Sequence, residues 1–387
     1  MKKIGLCLKY QNRNFGSMLQ TEAFLYYLRQ LSLDFEIIHY VKRRTIFTAV
    51  KDLPRFLNKI FLNDRWEGIK KKIGLKLHPS FAKQNASRNK RFDAFCADHF
   101  QPLSLPYEGY GELSRKSAAY DIVVSGSDQL WSPASLGSNY YNLAFCADGV
   151  KRVSYASSFG TSYIPWYQKK RTKNYLSKMD CVSVRENSGA KIIFDLTGRN
   201  VSVVCDPVLL LSTADWDALI PQQTLIREKY VFAYFLGTSR EYRKQVMSFA
   251  HELGLKVVAL RHLDQYVKAD EEFGDDAPYD IGPAEFLNLI RGAEYIFTDS
   301  FHGSCFSILY HKRFLTFNRY ARKSKVSKNT RIDSLMENAG IDRRFAGDIR
   351  QVLDDIDYAS VDSKLNGFVA FSKHYLHEAL GIINDTD

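Results

Sequence analysis

The chain has 387 residues, 45% of them apolar and 25% charged, which suits two or three soluble domains at about 150 residues each and excludes collagen, coiled coil and wholesale disorder. Six cysteines (Cys7, Cys96, Cys146, Cys181, Cys205, Cys305) lie far apart, with no CxxC pair and no Cys/His spacing that suits zinc, so a disulfide scaffold and a zinc site are excluded as well. The net charge of +11 is local: residues 42–91 hold fifteen Lys and Arg against Asp52, Asp64 and Glu67, leaving the rest of the chain at −1.

In chain order, short apolar runs alternate with helical patterns, the mark of parallel sheets flanked by helices on both faces. Runs at 4–8, 35–39, 121–124, 153–156, 181–184 and 201–205 are predicted strands of a first sheet. Proline and polar residues from Asp206-Pro207 to Pro221-Gln222-Gln223 mark a crossing into a second unit. Its predicted strands are 230–236, 256–260, 295–298 and 314–317, with helical periodicity at 240–253, 283–291, 302–311 and 330–339. A final helical pattern at about 360–381 is placed to pack back on either unit. These runs predict domains at 1–207 and 208–345, a basic helical insertion at 42–91, and a C-terminal helical segment at 346–387.

No run approaches the roughly 18 to 20 apolar residues of a membrane span, and the first ten residues do not suit a secretory leader. A cytoplasmic chain is expected. In the basic segment, Ile46, Phe47, Val50, Leu53, Phe56, Leu57, Ile60 and Phe61 recur at helical spacing between Lys51, Arg55 and Lys59. That pattern suits a helix lying on an anionic lipid surface, and equally a helix covering the first domain with a solvated basic face. No nucleic-acid-binding motif accompanies it, so nucleic acid is not an expected partner.

Four predicted strands end in residues that sites use. They run into Ser125-Gly126-Ser127-Asp128-Gln129-Leu130-Trp131, Ser157-Ser158-Phe159-Gly160, Arg185-Glu186 and Asp299-Ser300-Phe301-His302-Gly303-Ser304. In an open parallel sheet all carboxyl ends share one rim, and helix N-termini there offer free N–H groups to anions. Plainer readings exist for each piece: a tight turn with Asp128 as a cap, Trp131 as a core aromatic, Arg185-Glu186 as a surface pair. His302 is the least ordinary, since a histidine opening a helix beside Asp299 and before Gly303 is poorly placed for core filling. His374 and His377 read as surface or packing residues. GxGxxG after a strand, GxxxxGK[ST], HExxH and GxSxG are all absent.

Taken together, Asn14-Phe15-Gly16-Ser17-Met18-Leu19-Gln20, SGSDQLW at 125–131, SYASSFG at 154–160, SVRE at 183–186, DPVLL at 206–210 and TDSFHGS at 298–304 resemble the polysaccharide pyruvyltransferase family over residues 1–345. The resemblance implies two Rossmann-like domains facing across a cleft, as in GT-B glycosyltransferases. It also implies transfer of a pyruvyl group from phosphoenolpyruvate to a sugar as a ketal. It makes His302 the acid/base residue, Arg185 a donor contact, and places Asp128 at the cleft. Some family members have arginine where this chain has Ser300, so another cation is needed for the donor, and 319–331 offers Arg319, Arg322, Lys323, Lys325, Lys328 and Arg331 without an acid.

The expected assignment follows. His302 donates a proton to the donor's methylene, Asp128 is the base for a sugar hydroxyl, and Asp299 or the phosphate restores the proton of His302. Arg185, Ser300, His302, Gly303, Ser304, Arg319, Lys325, Asn329 and Arg331 are expected on the donor side, the last four on a loop closing as a lid. Asn14, Gly16, Ser127, Asp128, Trp131, Ser157 and Ser158 are expected on the acceptor side. The acceptor is a hexose of a surface polysaccharide or of its lipid-linked precursor, met at the inner face of the membrane through 42–91. No metal and no cofactor are expected, because guanidinium and ammonium groups are available to offset the phosphate. A GT-B-like glycosyltransferase using a nucleotide sugar and a catalytically silent binding module stand as alternatives, since fold does not fix function.

Overall fold

The computed structural model describes residues 2–43, 59–134, 139–262, 265–319 and 330–382. The first unit runs β1 (Lys3–Cys7), α1 (Phe15–Gln30), β2 (Asp34–Val41), α2 (Lys59–Leu77), α3 (Pro79–His99), β3 (Ser104–Glu108), α4 (Tyr110–Lys116), β4 (Ile122–Ser125), β5 (Lys151–Ser157), α5 (Trp166–Leu176), β6 (Cys181–Val184), α6 (Asn187–Thr197) and β7 (Ser202–Val203). Its strands pair in parallel in the order β3-β2-β1-β4-β5-β6-β7. The second unit runs α7 (Thr213–Leu219), β8 (Tyr230–Tyr234), α8 (Arg240–Glu252), β9 (Lys256–Leu260), α9 (Pro283–Gly292), β10 (Tyr295–Thr298), α10 (Phe301–Leu309), β11 (Arg313–Thr316), α11 (Thr330–Ala339) and α12 (Tyr358–Leu380). Its sheet is parallel too, in the order β11-β10-β8-β9.

All ten predicted strands are present, because strands covered by helices on both faces read as unbroken apolar runs; β4 and β8 are buried at every residue. The one missed strand is β3, whose sequence Ser-Leu-Pro-Tyr-Glu reads as turn. It lies at the sheet edge beside β2, where Pro106 deprives no neighbour of a ladder hydrogen bond.

The two units share one continuous apolar core. Helix α1 is buried along most of its length because it is wedged between them. Phe15 at its start stacks on Phe286 of α9 at 4.7 Å, tilts against Phe92 of α3 at 4.9 Å and meets Tyr234 of β8 edge-on at 5.7 Å. Helix α12 begins on the second unit, where Tyr358 donates to the Lys312 carbonyl at 2.6 Å, and ends on the first, where Ser372 accepts from the Cys205 N–H at 2.9 Å and Tyr375 donates to the Ser154 carbonyl at 3.0 Å.

The basic insertion emerges as α2 and α3, continuing past 91 to His99. It straps the cleft. Arg88 donates to the Arg261 carbonyl at 3.0 Å, Arg91 forks onto Asp280 with two 2.9 Å contacts, and His78 stacks on Tyr266 at 3.5 Å. The apolar pattern over 46–57 lies outside the described residues. Among the described residues no helix is long and apolar enough to cross a membrane.

Phe15→Ala removes an aromatic from the contact that joins the units. Urea unfolding should register a loss of about 3–5 kcal/mol; an unchanged midpoint would mean that the units are held together elsewhere.

Candidate active site

The carboxyl ends of β4, β5, β6 and β7 meet the N-termini of α1 and α10 in the cleft between the units. Each participant is set by its local fold. Asn14 caps α1, accepting the Ser17 N–H at 3.1 Å, and this turns the Ser17 hydroxyl toward Asp128, to which it donates at 2.8 Å. Asp128 adopts φ +79°, a left-handed conformation that aspartate tolerates better than most residues. Its backbone is locked there, with its carbonyl accepting from the Leu130 N–H at 2.7 Å and the Ser158 N–H at 2.9 Å. On the other side, Ser300 caps α10 by accepting the Gly303 N–H at 3.3 Å, which delivers Phe301 and His302 to the cleft.

His302 rests directly on α1. A β-carbon at Gly16 would lie 1.9 Å from His302 Nδ1, so only glycine allows the ring its place. His302 Nε2 is buried, has no hydrogen-bond partner, and stands 3.6 Å from Asp206 Oδ2. Asp206 also accepts from Ser127 Oγ at 2.9 Å and from Arg185 Nη1. Arg185 Nη2 in turn lies 3.7 Å from Asp128 Oδ1, and Lys9 Nζ 3.6 Å from Asp128 Oδ2. The cleft holds about 960 Å³ and is lined on the first unit by Lys9, Asn14, Ser17 and Asp128, and on the second by Ser300, Phe301, His302 and Arg331.

The electrostatics follow from burial and pairing. Burial by itself would push the Asp128 carboxyl up, but Lys9, Arg185 and His302 outweigh it and hold Asp128 well below the usual carboxylate range. Asp206 is likewise held low, with Arg185 and His302 overcoming its burial. Glu186, which accepts from Ser158 Oγ at 2.9 Å and the Phe159 N–H at 3.1 Å, goes the other way, because burial prevails over the pull of Arg185 and Arg331. Arg331 of α11 is brought down to about 10 by its burial and by neighbouring Arg185. With the Gln129 amide turned so that its oxygen faces the guanidinium, that oxygen accepts from two Arg331 nitrogens, at 2.9 and 3.1 Å, while Arg331 Nε is buried without a hydrogen bond.

Several expectations are corrected. The carboxylate facing His302 is Asp206; Asp299 instead accepts the Leu236 and Gly237 N–H groups, each at 2.7 Å, and lies 3.5 Å from Arg319. Trp131 is no sugar platform: it is fully buried against Phe159 and Tyr175, and its indole donates to the Tyr141 carbonyl at 3.1 Å. Ser157 donates to the Gly126 carbonyl, and Ser158 supports Glu186. Ser304 bonds Thr316 and the Ser300 carbonyl, and Gly303 packs against Thr298; both face the second sheet rather than the cleft. Arg185 lies behind Phe301, its guanidinium carbon 4.5 Å from the ring centroid, and does not line the cavity. Lys325 and Asn329, with the supposed lid, lie outside the described residues.

Lys9, Phe301 and the role of Asp206 escaped the sequence reading. For Asp206 a signal exists: an aspartate before proline at a strand end caps the following turn, here accepting the Val208 N–H at 3.1 Å, and so has its second oxygen fixed toward the rim. Among the described residues no three His, Cys, Asp or Glu side chains group as metal ligands.

A carboxyl held low in the folded state contributes stability that is full above its unfolded pKa, about 3.9, and fades as pH falls below that value. Asp206→Asn should therefore cost about 3–5 kcal/mol at pH 7, by leaving Arg185 buried and unpaired. Its deficit against wild type should shrink as pH falls below about 4, where the unfolded wild-type chain takes up a proton that the folded carboxylate still resists. A deficit independent of pH would refute the charged pairing.

Comparison with known proteins places this geometry. A putative UDP-N-acetylglucosamine 2-epimerase from Listeria monocytogenes aligns over 100% of this chain and 97% of its own, at 10% identity and a TM-score of 0.51. The S. aureus MnaA–UDP structure aligns over 100% and 99%, at 12% identity and a TM-score of 0.52. Another UDP-N-acetylglucosamine 2-epimerase aligns over 100% and 98%, at 12% identity and a TM-score of 0.54. At such identities the likeness is one of fold, a GT-B-like pair of parallel α/β units. No protein of curated function matches the chain. The family model for polysaccharide pyruvyl transferase matches residues 14–319, from the Asn14 cap to Arg319 beyond β11, and the chain belongs to that family of transferases.

Proposed function

We propose that the protein moves the pyruvyl group of phosphoenolpyruvate onto a hexose of a surface polysaccharide or its lipid-linked precursor, as a ketal, and releases phosphate. One observation carries the reading. The His302 imidazole, whose Nε2 makes no hydrogen bond and stands 3.6 Å from Asp206, a guanidinium nitrogen of Arg331 without a hydrogen bond and the ionised Asp128 belong to three side chains that line one cleft.

The chemistry asks for these groups. Protonating the donor's methylene makes the neighbouring carbon cation-like, and His302, whose Nε2 stands 3.6 Å from the Asp206 carboxylate, is the acid for that step. One sugar hydroxyl then adds to the carbon, the C–O bond to phosphate breaks with its electron pair, and a second hydroxyl closes the ketal. Of the two hydroxyl protons, one replaces the proton now in the methyl group and the other leaves on hydrogen phosphate. Asp128 receives a hydroxyl proton. A carboxylate held so low is a weak base in the empty site, but a bound dianion beside Lys9 and Arg331 offsets those cations and returns basicity to it.

Arg331 is the cation that stands in for the arginine absent at Ser300, while Arg185 acts through the carboxylates it holds ionised. The N-terminus of α10 adds backbone donors for the anion. No metal is required in this scheme. The protein works in the cytoplasm, at the inner face of the membrane where lipid-linked acceptors are presented. The alternative of a nucleotide-sugar transferase draws on the MnaA–UDP likeness, which is one of fold.

Thermal denaturation with ligand separates the two. Phosphoenolpyruvate should raise the midpoint, by an amount equivalent to about 2.7 kcal/mol at one hundred times its Kd, and UDP-N-acetylglucosamine should not; the reverse result would overturn the proposal. Mass spectrometry of oligosaccharide acceptors incubated with phosphoenolpyruvate should then detect a pyruvate ketal, undiminished by a chelator.

Within that assay, His302→Ala should lower the rate by about 10²–10⁴-fold, and Gly16→Ala by about 10²-fold through displacement of the imidazole. Arg331→Gln should chiefly weaken donor binding. A Gly16→Ala enzyme as fast as wild type would show that His302 need not sit where it does.

A further inference from the structure

Helix α2 carries an apolar stripe on its outer side that no other described residue covers. Leu62, Trp66, Ile69, Ile73 and Leu77 recur every three or four residues and are 44, 54, 47, 49 and 69% exposed. At 100° per residue they fall within about 80° of arc, over about 22 Å of helix. The inner face is separate: Asn63, Glu67 and Lys71 line the cleft, and Gly74 is buried where a β-carbon would meet Tyr266 Cβ at 2.9 Å. The helix is thus fixed on one side and presents the other, rotated by roughly 120°.

The margins of the stripe identify its occupant. Exposed Arg65, Lys72 and Lys76 lie along one edge and exposed Lys70 along the other. A straight helix with an apolar strip, a tryptophan within it and basic residues on both margins fits the headgroup region of an anionic bilayer, where the apolar chains enter the acyl boundary and the ammonium groups remain among phosphates. A second copy of the chain fits poorly, since pairing two stripes would bring like charges together.

We propose that α2 docks the protein on anionic phospholipid through Leu62, Trp66, Ile69, Ile73 and Leu77. The docking stands on this stripe alone. Its purpose, to hold the cleft mouth lined by Asn63 and Lys71 against the surface that carries a lipid-linked acceptor, rests on the pyruvyl-transfer reading.

The test is co-sedimentation of the full chain with vesicles of phosphatidylcholine, alone or with about one third phosphatidylglycerol, at low and high salt and without substrate. Wild type should bind the anionic vesicles at least about tenfold more tightly than the neutral ones, with a several-fold loss at high salt. Trp66→Glu with Ile73→Glu should lower that binding about tenfold or more while leaving the thermal midpoint, and ketal formation on a soluble acceptor, as in wild type. Equal binding by this variant, absence of binding by wild type, or no preference for anionic vesicles would each overturn the proposal. So would a wild-type dimer that the variant dissolves, which would assign the stripe to a second copy. Because no donor or acceptor enters the sedimentation, it can fail while pyruvyl transfer stands, and the reverse.

Discussion

The constraint on which this site depends is that Asp206 and Arg185, both almost wholly withdrawn from water, must satisfy each other. A buried carboxylate and a buried guanidinium are each costly alone, and together they remain stable only with further hydrogen bonds to the surplus lone pairs and protons. Ser127 and the Val208 N–H supply these to Asp206. Arg185 is left with Nε and Nη2 without hydrogen bonds, Nη2 facing Asp128 Oδ1 at 3.7 Å, and the ring of Phe301 over its face provides part of the compensation. That ring comes from the second unit. The ion pair of the first unit is therefore completed by α10, and the same contact brings His302 over Gly16 and opposite Asp206. Domain packing and site assembly are one event.

Much of this was legible in the sequence, and the reasons differ by residue. The strands were readable because both faces are covered. The convergence of Asp128 and Arg185 was readable because carboxyl ends of parallel strands share a rim whatever their separation in sequence, while that His302, on the second sheet, faces them was implied by the family resemblance. Side-chain direction was not readable. Ser157, Ser158 and Ser304 occupy the right segments, yet each hydroxyl is taken by a backbone, hydroxyl or carboxylate partner, a competition decided by tertiary geometry that no spacing reveals. Asp299 is three residues before His302 in sequence and faces away from it, because two N–H groups just past the end of β8 claim its carboxylate. Trp131 was ambiguous between core and cleft on composition alone, and its indole found a carbonyl inside.

Arg331 illustrates a different limit. From the sequence it belongs to a basic run, and such runs are ordinarily solvated. In the fold it opens α11 and is buried beside Arg185, so two like charges share one apolar wall with Phe301. That arrangement is unfavourable for an empty site and favourable once an anion arrives, since the repulsion and the unmet donors are relieved together. Under the proposed pyruvyl transfer, that relief is what would make the site complementary to a dianionic donor.

The strap formed by α2 and α3 crosses from the first unit to the second. Its ion pair, Arg91 with Asp280, is about half exposed on both partners and contributes little against motion. The resistance comes from apolar contacts at the cleft floor, where Phe15, Phe92 and Phe286 are buried together. A rotation that widened the cleft at its mouth could keep this floor intact while sliding the exposed ion pair and the His78–Tyr266 stack. The contacts least able to give are those of α1, where the Phe15 packing and the seat of the His302 ring on Gly16 are adjacent in the chain.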